Sequence, residues 1–446
     1  MKHTPRRYAA HIAVRSRFAY RRWLRRGIFL IGGVAVGAAA VVMALVADEA
    51  QAAFRWLLEK HPVVAFFAPP LGFGIAAYLA RNFFPNSQGS GIPQTIAALN
   101  VADPKARGAL VSLRVAFGKI VVMSLGLVCG ASIGREGPTV QVGAAIMHAL
   151  GKNAPYREAG FLLAGAAAGV AAAFNTPLAG IVFGIEELSR SFEQRTSGLI
   201  IGAVIAAGVT AIAALGDYSY FGVATAALPL GRGWFAVLGC AIAGGLLGGL
   251  FILVTKFFAS GARGAAGAAI AQRPIAFAVL CGLGVSLCGL GGDASVFGTG
   301  YEAARNVVHG AVVVDYWFAP LKYIATLLST ISGIPGGVFS PSLSIGAGLA
   351  SLFGAIFQDA PLSALALIGM VSYLTGVVQA PITAFVIVSE MTNDHAMVIP
   401  LMAAALIANA TSKTLSHQGL YHALAHRYIA QAGREREQAA ASEHAA

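Results

Sequence analysis

Charge is what this sequence has least of. Only 11% of its 446 residues are Asp, Glu, Lys or Arg, against 57% hydrophobic. A chain of this length with so little polar surface has no means of clothing a water-soluble globule. Acid is scarcest at the start, where no Asp or Glu precedes Asp48. Cysteine is nearly missing as well. Cys129, Cys240, Cys281 and Cys288 stand singly in apolar surroundings without metal-ligand spacing, so they read as buried thiols, and no metal site or cofactor is expected. The metal-dependent hydrolytic signature is absent too: His148, His309, His395, His417, His422 and His426 form no H-E-x-x-H pattern. The reading is therefore not an enzyme, with these histidines expected in loops or at an interface.

What the sequence has in abundance is apolar length. Ile28 to Val46, Leu199 to Leu215, Trp234 to Val254, Ile275 to Leu290 and Val398 to Ala410 each approach the length that spans hydrocarbon. The fold class expected is an all-α, polytopic membrane protein. A net charge of +12 raises nucleic acid as a partner, but the basic residues gather at the ends of the chain rather than over a folded face. Arg6, Arg7, Arg15, Arg17, Arg21, Arg22, Arg25 and Arg26 precede the first long stretch, which puts the N-terminus in the cytoplasm of an inner-membrane protein. The mixed charges of Arg427, Arg434, Arg436, Glu435 and Glu437 give a weaker sign of a second cytoplasmic end. Contact of the arginines with anionic lipid headgroups stays open beside the topological reading. Ala47 to Ala53 superficially resembles a leader cleavage site. The long basic region and the spans that follow favour a mature helix instead.

Between the long stretches lie apolar pieces that read as too short or too broken to cross alone: Pro62 to Leu79, Pro138 to Leu150, Pro177 to Leu188, Pro341 to Phe357 and Pro381 to Glu390. Backbone groups freed at such breaks find partners in a membrane only when buried in protein or facing a watery cavity, so broken helices mark a candidate pathway. An internal repeat strengthens this. GREGPTVQVGAA from Gly134 resembles GVFSPSLSIGAG from Gly337, and TPLAGIVFGIEE from Thr176 resembles APITAFVIVSEM from Ala380, placing Glu186 against Glu390. Both matches keep an offset of about two hundred residues, the mark of a duplicated architecture. The expected organisation is a basic segment 1–27, a first membrane half 28–192, a second half 193–424 and a short tail 425–446. Whether the halves run parallel or inverted is open at this level.

Three segments share one design, a glycine-rich turn leading to proline and then an apolar helical run: GSGIPQ from Gly89, GREGP from Gly134 and GIPGGVFSP from Gly333. Proline suits a first helical turn, and glycine lets the backbone bend and expose its amides. Helix N-termini with bare N–H groups attract anions. Three such ends meeting at one point would hold an anion without a full positive charge, which matters because a buried cation would hold it too long. Ser90 would add a hydroxyl donor. Glu136, ionisable inside an apolar segment, is functional by default, with pairing to Arg135 as the alternative.

GSGIP, GREGP, GIPGGVFSP and the EMTND stretch at Glu390 to Asp394 together resemble the CLC family of chloride channels and proton-coupled chloride transporters, over roughly Phe84 to Leu424. The resemblance implies a homodimer with one pathway per subunit, built from two repeated halves of tilted and broken helices. It also implies that Ser90, the amides of Val338 and Phe339, and the Tyr421 hydroxyl contact chloride, with Gly89, Gly91, Gly134 and Gly137 shaping the turns. Glu136 becomes an external gate whose carboxylate occupies the anion path and leaves it when protonated. Glu187 becomes an internal proton-transfer residue, present in transporters and missing from many channels. The Glu186–Glu187 pair could instead cap a helix end, the role expected of Glu186. Lys119 matches a family position near Glu187.

Some features depart from the pattern. Gln94 replaces a frequently acidic residue after GSGIP. The chain ends soon after Tyr421, so the nucleotide-binding CBS pair of some relatives is not expected. Ser90 favours chloride, since proline there goes with nitrate, and the intact GSGIP and GREGP make fluoride a poor second choice. The reading is a chloride/proton antiporter, with a passive chloride channel of the same family as the alternative.

Overall fold

A computed structural model describes residues 5–152, 158–189, 194–216, 221–224, 226–228, 230–261, 264–292, 294–310 and 315–445. Among these the chain is helical throughout, with two isolated β-bridges in place of any sheet. All five long apolar stretches are helices: they lie in Pro5–Lys60, Gln194–Leu215, Trp234–Ala259, Pro274–Gly291 and Val398–Leu415. Side chains before Arg26, and with them all the arginines that set the expected topology except Arg26 itself, lie outside the described residues. The expected boundaries at 27/28 and 424/425 fall inside continuous helices, Pro5–Lys60 and Leu420–Ala445, and the 192/193 boundary lies outside the described residues.

Among the described residues, seven helices are long and apolar enough to cross a membrane, two more than the apolar runs foretold. One is Val64–Asn82, a correction to the reading of Pro62 to Leu79 as a broken piece, for its two prolines, Pro69 and Pro70, lie inside a continuous helix. Proline at position 70 removes the N–H that would bond the Phe66 carbonyl. Ser286 of the neighbouring Pro274–Gly291 helix donates its hydroxyl to that carbonyl at 3.1 Å, so the loss is made good from outside. The other is the stretch Pro104–Val128, interrupted at Val111 and Ser112, where the Ser112 hydroxyl accepts from Val115 N at 3.3 Å and starts its second helix.

The outside of the molecule is greasy. Leu71, Phe117, Val209, Phe235, Leu280, Ile399 and Leu406 are all exposed, while Lys119, Glu136, Gln141 and Lys322 are fully buried. This inversion of the usual distribution is what a bilayer solvent dictates. Inside, small residues let backbones touch. A Cβ on Gly143 would strike the Gly165 carbonyl, and one on Gly346 would strike that of Gly369, so Glu136–Gly151 packs on Glu158–Phe174 as Phe339–Gly354 packs on Leu362–Val378.

Repeat-matched positions also contact one another reciprocally. Glu390 accepts from Leu178 N and Ala179 N, at 3.0 and 2.8 Å, at the head of Pro177–Phe183. Glu186 accepts from Ile382 N and Thr383 N, at 3.1 and 2.6 Å, at the head of Pro381–Thr392. Each carboxylate thus satisfies the bare amides of the other half's short helix, which is the capping role expected of Glu186. Exchange of equivalent contacts is the signature of a local two-fold axis.

A third repeat pair emerges only in three dimensions. Gly89-Ser90-Gly91 and Gly298-Thr299-Gly300 both hold their glycines at positive φ (63° and 93°, 66° and 74°) and open short helices, Ile92–Asn100 and Tyr301–Val308. Behind each lies a buried lysine bonded to two loop carbonyls. Lys119 Nζ donates to Gln88 O and Gly89 O at 3.3 and 2.9 Å, and Lys322 Nζ donates to Val296 O and Gly298 O at 2.8 and 2.7 Å. The second copy lacks the proline that advertises the first, which is why the sequence pattern conceals it.

The reciprocal caps yield a prediction. Glu186→Ala and Glu390→Ala should each lower stability by about 1 kcal/mol, the usual cost of a lost helix cap. Thermal unfolding of the full chain in detergent would measure it, and the two variants should be alike in size.

Candidate functional site: an anion cradle at three helix heads

The three glycine-proline turns meet, and their main chains are hydrogen-bonded to one another. Gly134 and Gly337 exchange both N–H···O bonds at 2.7 Å, an antiparallel bridge between matched positions of the repeat. Gly89 N donates to Ile334 O at 3.1 Å, and Gly336 N donates to Gly89 O at 3.0 Å. Ser90, Glu136 and Phe339 are therefore parts of one small region. Gly137 lies where the heads approach one another, and a Cβ there would come within 3.1 Å of the Ser90 Cβ and 3.3 Å of the Gly337 Cα. Only a residue without a side chain allows the helix heads so close together.

Each head contributes donors. The Ser90 hydroxyl accepts from Ile92 N at 3.3 Å, which leaves its own proton to donate elsewhere. Val338 is the N-cap and Phe339 the first residue of Phe339–Gly354, where amides have no intrahelical acceptor. The Phe339 ring is fully buried, with centroids 5.6 Å from Phe174, 6.1 Å from Phe183 and 5.8 Å from Tyr421. Tyr421, at the start of Leu420–Ala445, is fully buried too. Its hydroxyl has no hydrogen-bond partner among the described residues. A buried donor with nothing to bond is costly unless something passing through accepts from it. Ser90, Phe339 and Tyr421 thus fit the donor set an anion needs.

Glu136 is the first residue of Glu136–Gly151 and is fully buried. The Ser340 hydroxyl donates to its Oε1, and a Cβ on Gly134 would collide with Oε2. A carboxylate thus lies among helix N-termini, where their partial positive charge favours it. Arg135 turns the other way, with Nη1 bonded at 2.8 Å to both Ala44 O and Asp48 Oδ2. It lines a cavity of about 870 Å³ together with Asp48, Gln51, Arg55, Thr299 and Glu302.

Glu187 lies in a π-helical turn, Gly184–Ser189, that continues Pro177–Phe183. Such turns widen a helix and re-aim a side chain, often at functional sites. Its carboxylate is buried, 3.6 Å from His422 Nε2, which also lies 2.9 Å from the Glu187 carbonyl. His422 is thus not the simple loop or interfacial residue the sequence implied. Lys119, expected near Glu187, has its Nζ on the Gln88 and Gly89 carbonyls, directly behind Ser90. An ammonium buried in apolar surroundings needs acceptors, and a tight turn with free carbonyls supplies them. Gln94 braces the same turn, donating to Gln88 O at 2.6 Å and Asn86 O at 3.3 Å, a service an acidic side chain without an N–H is unable to give. Sequence reasoning missed Ser340, which nothing in the sequence sets apart from Ser342 and Ser344 in the same helix.

The chain is similar to known proteins. The profile of the family described as voltage gated chloride channel matches residues 71–413. The H(+)/Cl(-) exchange transporter ClcA of Klebsiella pneumoniae subsp. pneumoniae is 30% identical over 425 residues, covering 89% of this chain and 84% of that protein. The protein of the same name from Salmonella gallinarum is 30% identical over 416 residues, 85% of this chain and 83% of the relative. Among solved structures, a slow cyanobacterial Cl−/H+ antiporter superposes with a TM-score of 0.78 at 23% identity, covering 91% of this chain and 98% of its own. A CLC-type fluoride/proton antiporter gives 0.76 at 20% identity with the same coverage. These two likenesses concern the fold. With its helix heads arranged in this way and that family's profile matched over most of its length, the chain belongs to the voltage gated chloride channel family.

Proposed function

We propose that this protein is a multi-pass chloride/proton antiporter of the inner membrane, with both termini in the cytoplasm. The observation that carries the reading is the Glu136 carboxylate lying among three helix heads tied to one another by their main chains. The relatives named as H(+)/Cl(-) exchange transporters support it.

Chloride passes between Ser90, the amides of Val338 and Phe339, and Tyr421. Each offers a hydrogen-bond donor or partial charge and none a full cation, so the ion is held weakly enough to leave. Glu136 competes with chloride for the same partial charges. Protonation removes its claim on them, and the neutral side chain gives up the path. Glu187, at the other end of the row Phe183, Phe339 and Tyr421, supplies or removes that proton from the cytoplasmic side. The two halves, 28–192 and 193–424, each contribute helix heads to the cradle. The working unit is a homodimer in lipid with a complete pathway in each subunit, and its substrates are chloride and protons.

Reconstituted vesicles test this. A chloride gradient should drive protons against their own gradient, whereas chloride movement with proton flux at background would leave the passive channel. Glu187→Gln should abolish proton movement while chloride flux stays within about twofold of wild type, because the anion donors are untouched. Glu136→Gln should also end coupling, and its chloride flux should lose its dependence on pH. Retained coupling in either variant would refute that residue's assignment.

A further inference from the structure

The Ser340 hydroxyl sits where the anion and the gate compete. It is the second residue of Phe339–Gly354, buried, and it donates to Glu136 Oε1. Its neighbours at the same helix head are Val338 and Phe339, whose amides serve the anion in the reading above. A serine hydroxyl has one proton to give. It is able to serve the carboxylate or a halide in the carboxylate's place, but not both together.

We propose that Ser340 is a shared donor, handed from the Glu136 carboxylate to the anion each time the gate leaves the path. The idea rests on the gate reading and adds to it a positioning residue. When Glu136 occupies the cradle, the hydroxyl fixes one carboxylate oxygen. When Glu136 departs, the same O–H turns to the incoming chloride. No covalent bond changes and no proton is transferred, since the hydroxyl keeps its hydrogen throughout. The consequence is compensation: the donor strengthens both competitors, so the contest between them depends little on its presence. Each competitor alone depends on it strongly.

Chloride affinity in four full-length proteins tests this by calorimetry in detergent at fixed neutral pH: wild type, Ser340→Ala, Glu136→Ala and the double variant. In the Glu136→Ala background, where no carboxylate competes, losing the hydroxyl should weaken chloride binding about tenfold, the worth of a hydrogen bond to a charged group. With Glu136 present, the same change should alter affinity by less than about twofold, because gate and ion lose the same donor. Ser340→Thr, which keeps the hydroxyl, should match wild type in both backgrounds. Ser340→Cys, a weaker donor of similar size, replaces the alanine variant should that protein not fold. Equal weakening in both backgrounds would make Ser340 a ligand of the anion alone. Tightening with Glu136 present and no effect without it would make Ser340 a holder of the gate alone. No effect in either would exclude any role, and each of these three results overturns the sharing. If Glu136→Ala itself left affinity and coupling unchanged, the gate reading would fall and the sharing with it.

Discussion

The paired hydrogen bonds between Gly134 and Gly337 are the constraint on which the proposed cradle depends. They join the two breaks where intramembrane helices begin, and Gly89 is tied into the same knot through Ile334 and Gly336. A chain break in a low-dielectric interior leaves amides and carbonyls that need partners. Here the breaks partly satisfy one another, which fixes their positions, and the amides left over at the helix heads face a common point. In the proposed reading, the groups freed by interrupting helices in a membrane become the means of attracting an anion.

The two basic side chains next to that point have other partners. Lys119 lies behind the Ser90 turn and donates to carbonyls, and Arg135 is engaged by Asp48 and Ala44. In the proposed cradle, partial charges, hydroxyls and one removable carboxylate would make the contacts, a combination that favours residence short enough for throughput. The capping glutamates show the same economy, since Glu186 and Glu390 stabilise helix heads that an ion is not meant to visit.

Much of this was legible in the residues. The three glycine-proline turns, Glu136, and the pairing of Glu186 with Glu390 could all be read, because each is marked by a residue type with few other uses in an apolar segment. What escaped depended on neighbours distant in sequence. Pro69 and Pro70 look like a helix break until Ser286 is known to bond the carbonyl that Pro70 strands. Lys119 gives no hint of which carbonyls receive it, and His422 none that it reaches Glu187. Thr299 stayed hidden because its helix head lacks the proline that marks Ser90.

That last loop has a consequence for how a duplicated frame acquires a direction. The amide and hydroxyl of Thr299 both donate to Gln51 Oε1, each at 3.0 Å. One glutamine on the first long helix therefore satisfies, from within the chain, both donors at the head of the second turn. The two copies of the loop share a backbone and a buried lysine but differ in the side chain that faces them, so a frame that is symmetric in its main chain is asymmetric in its donors.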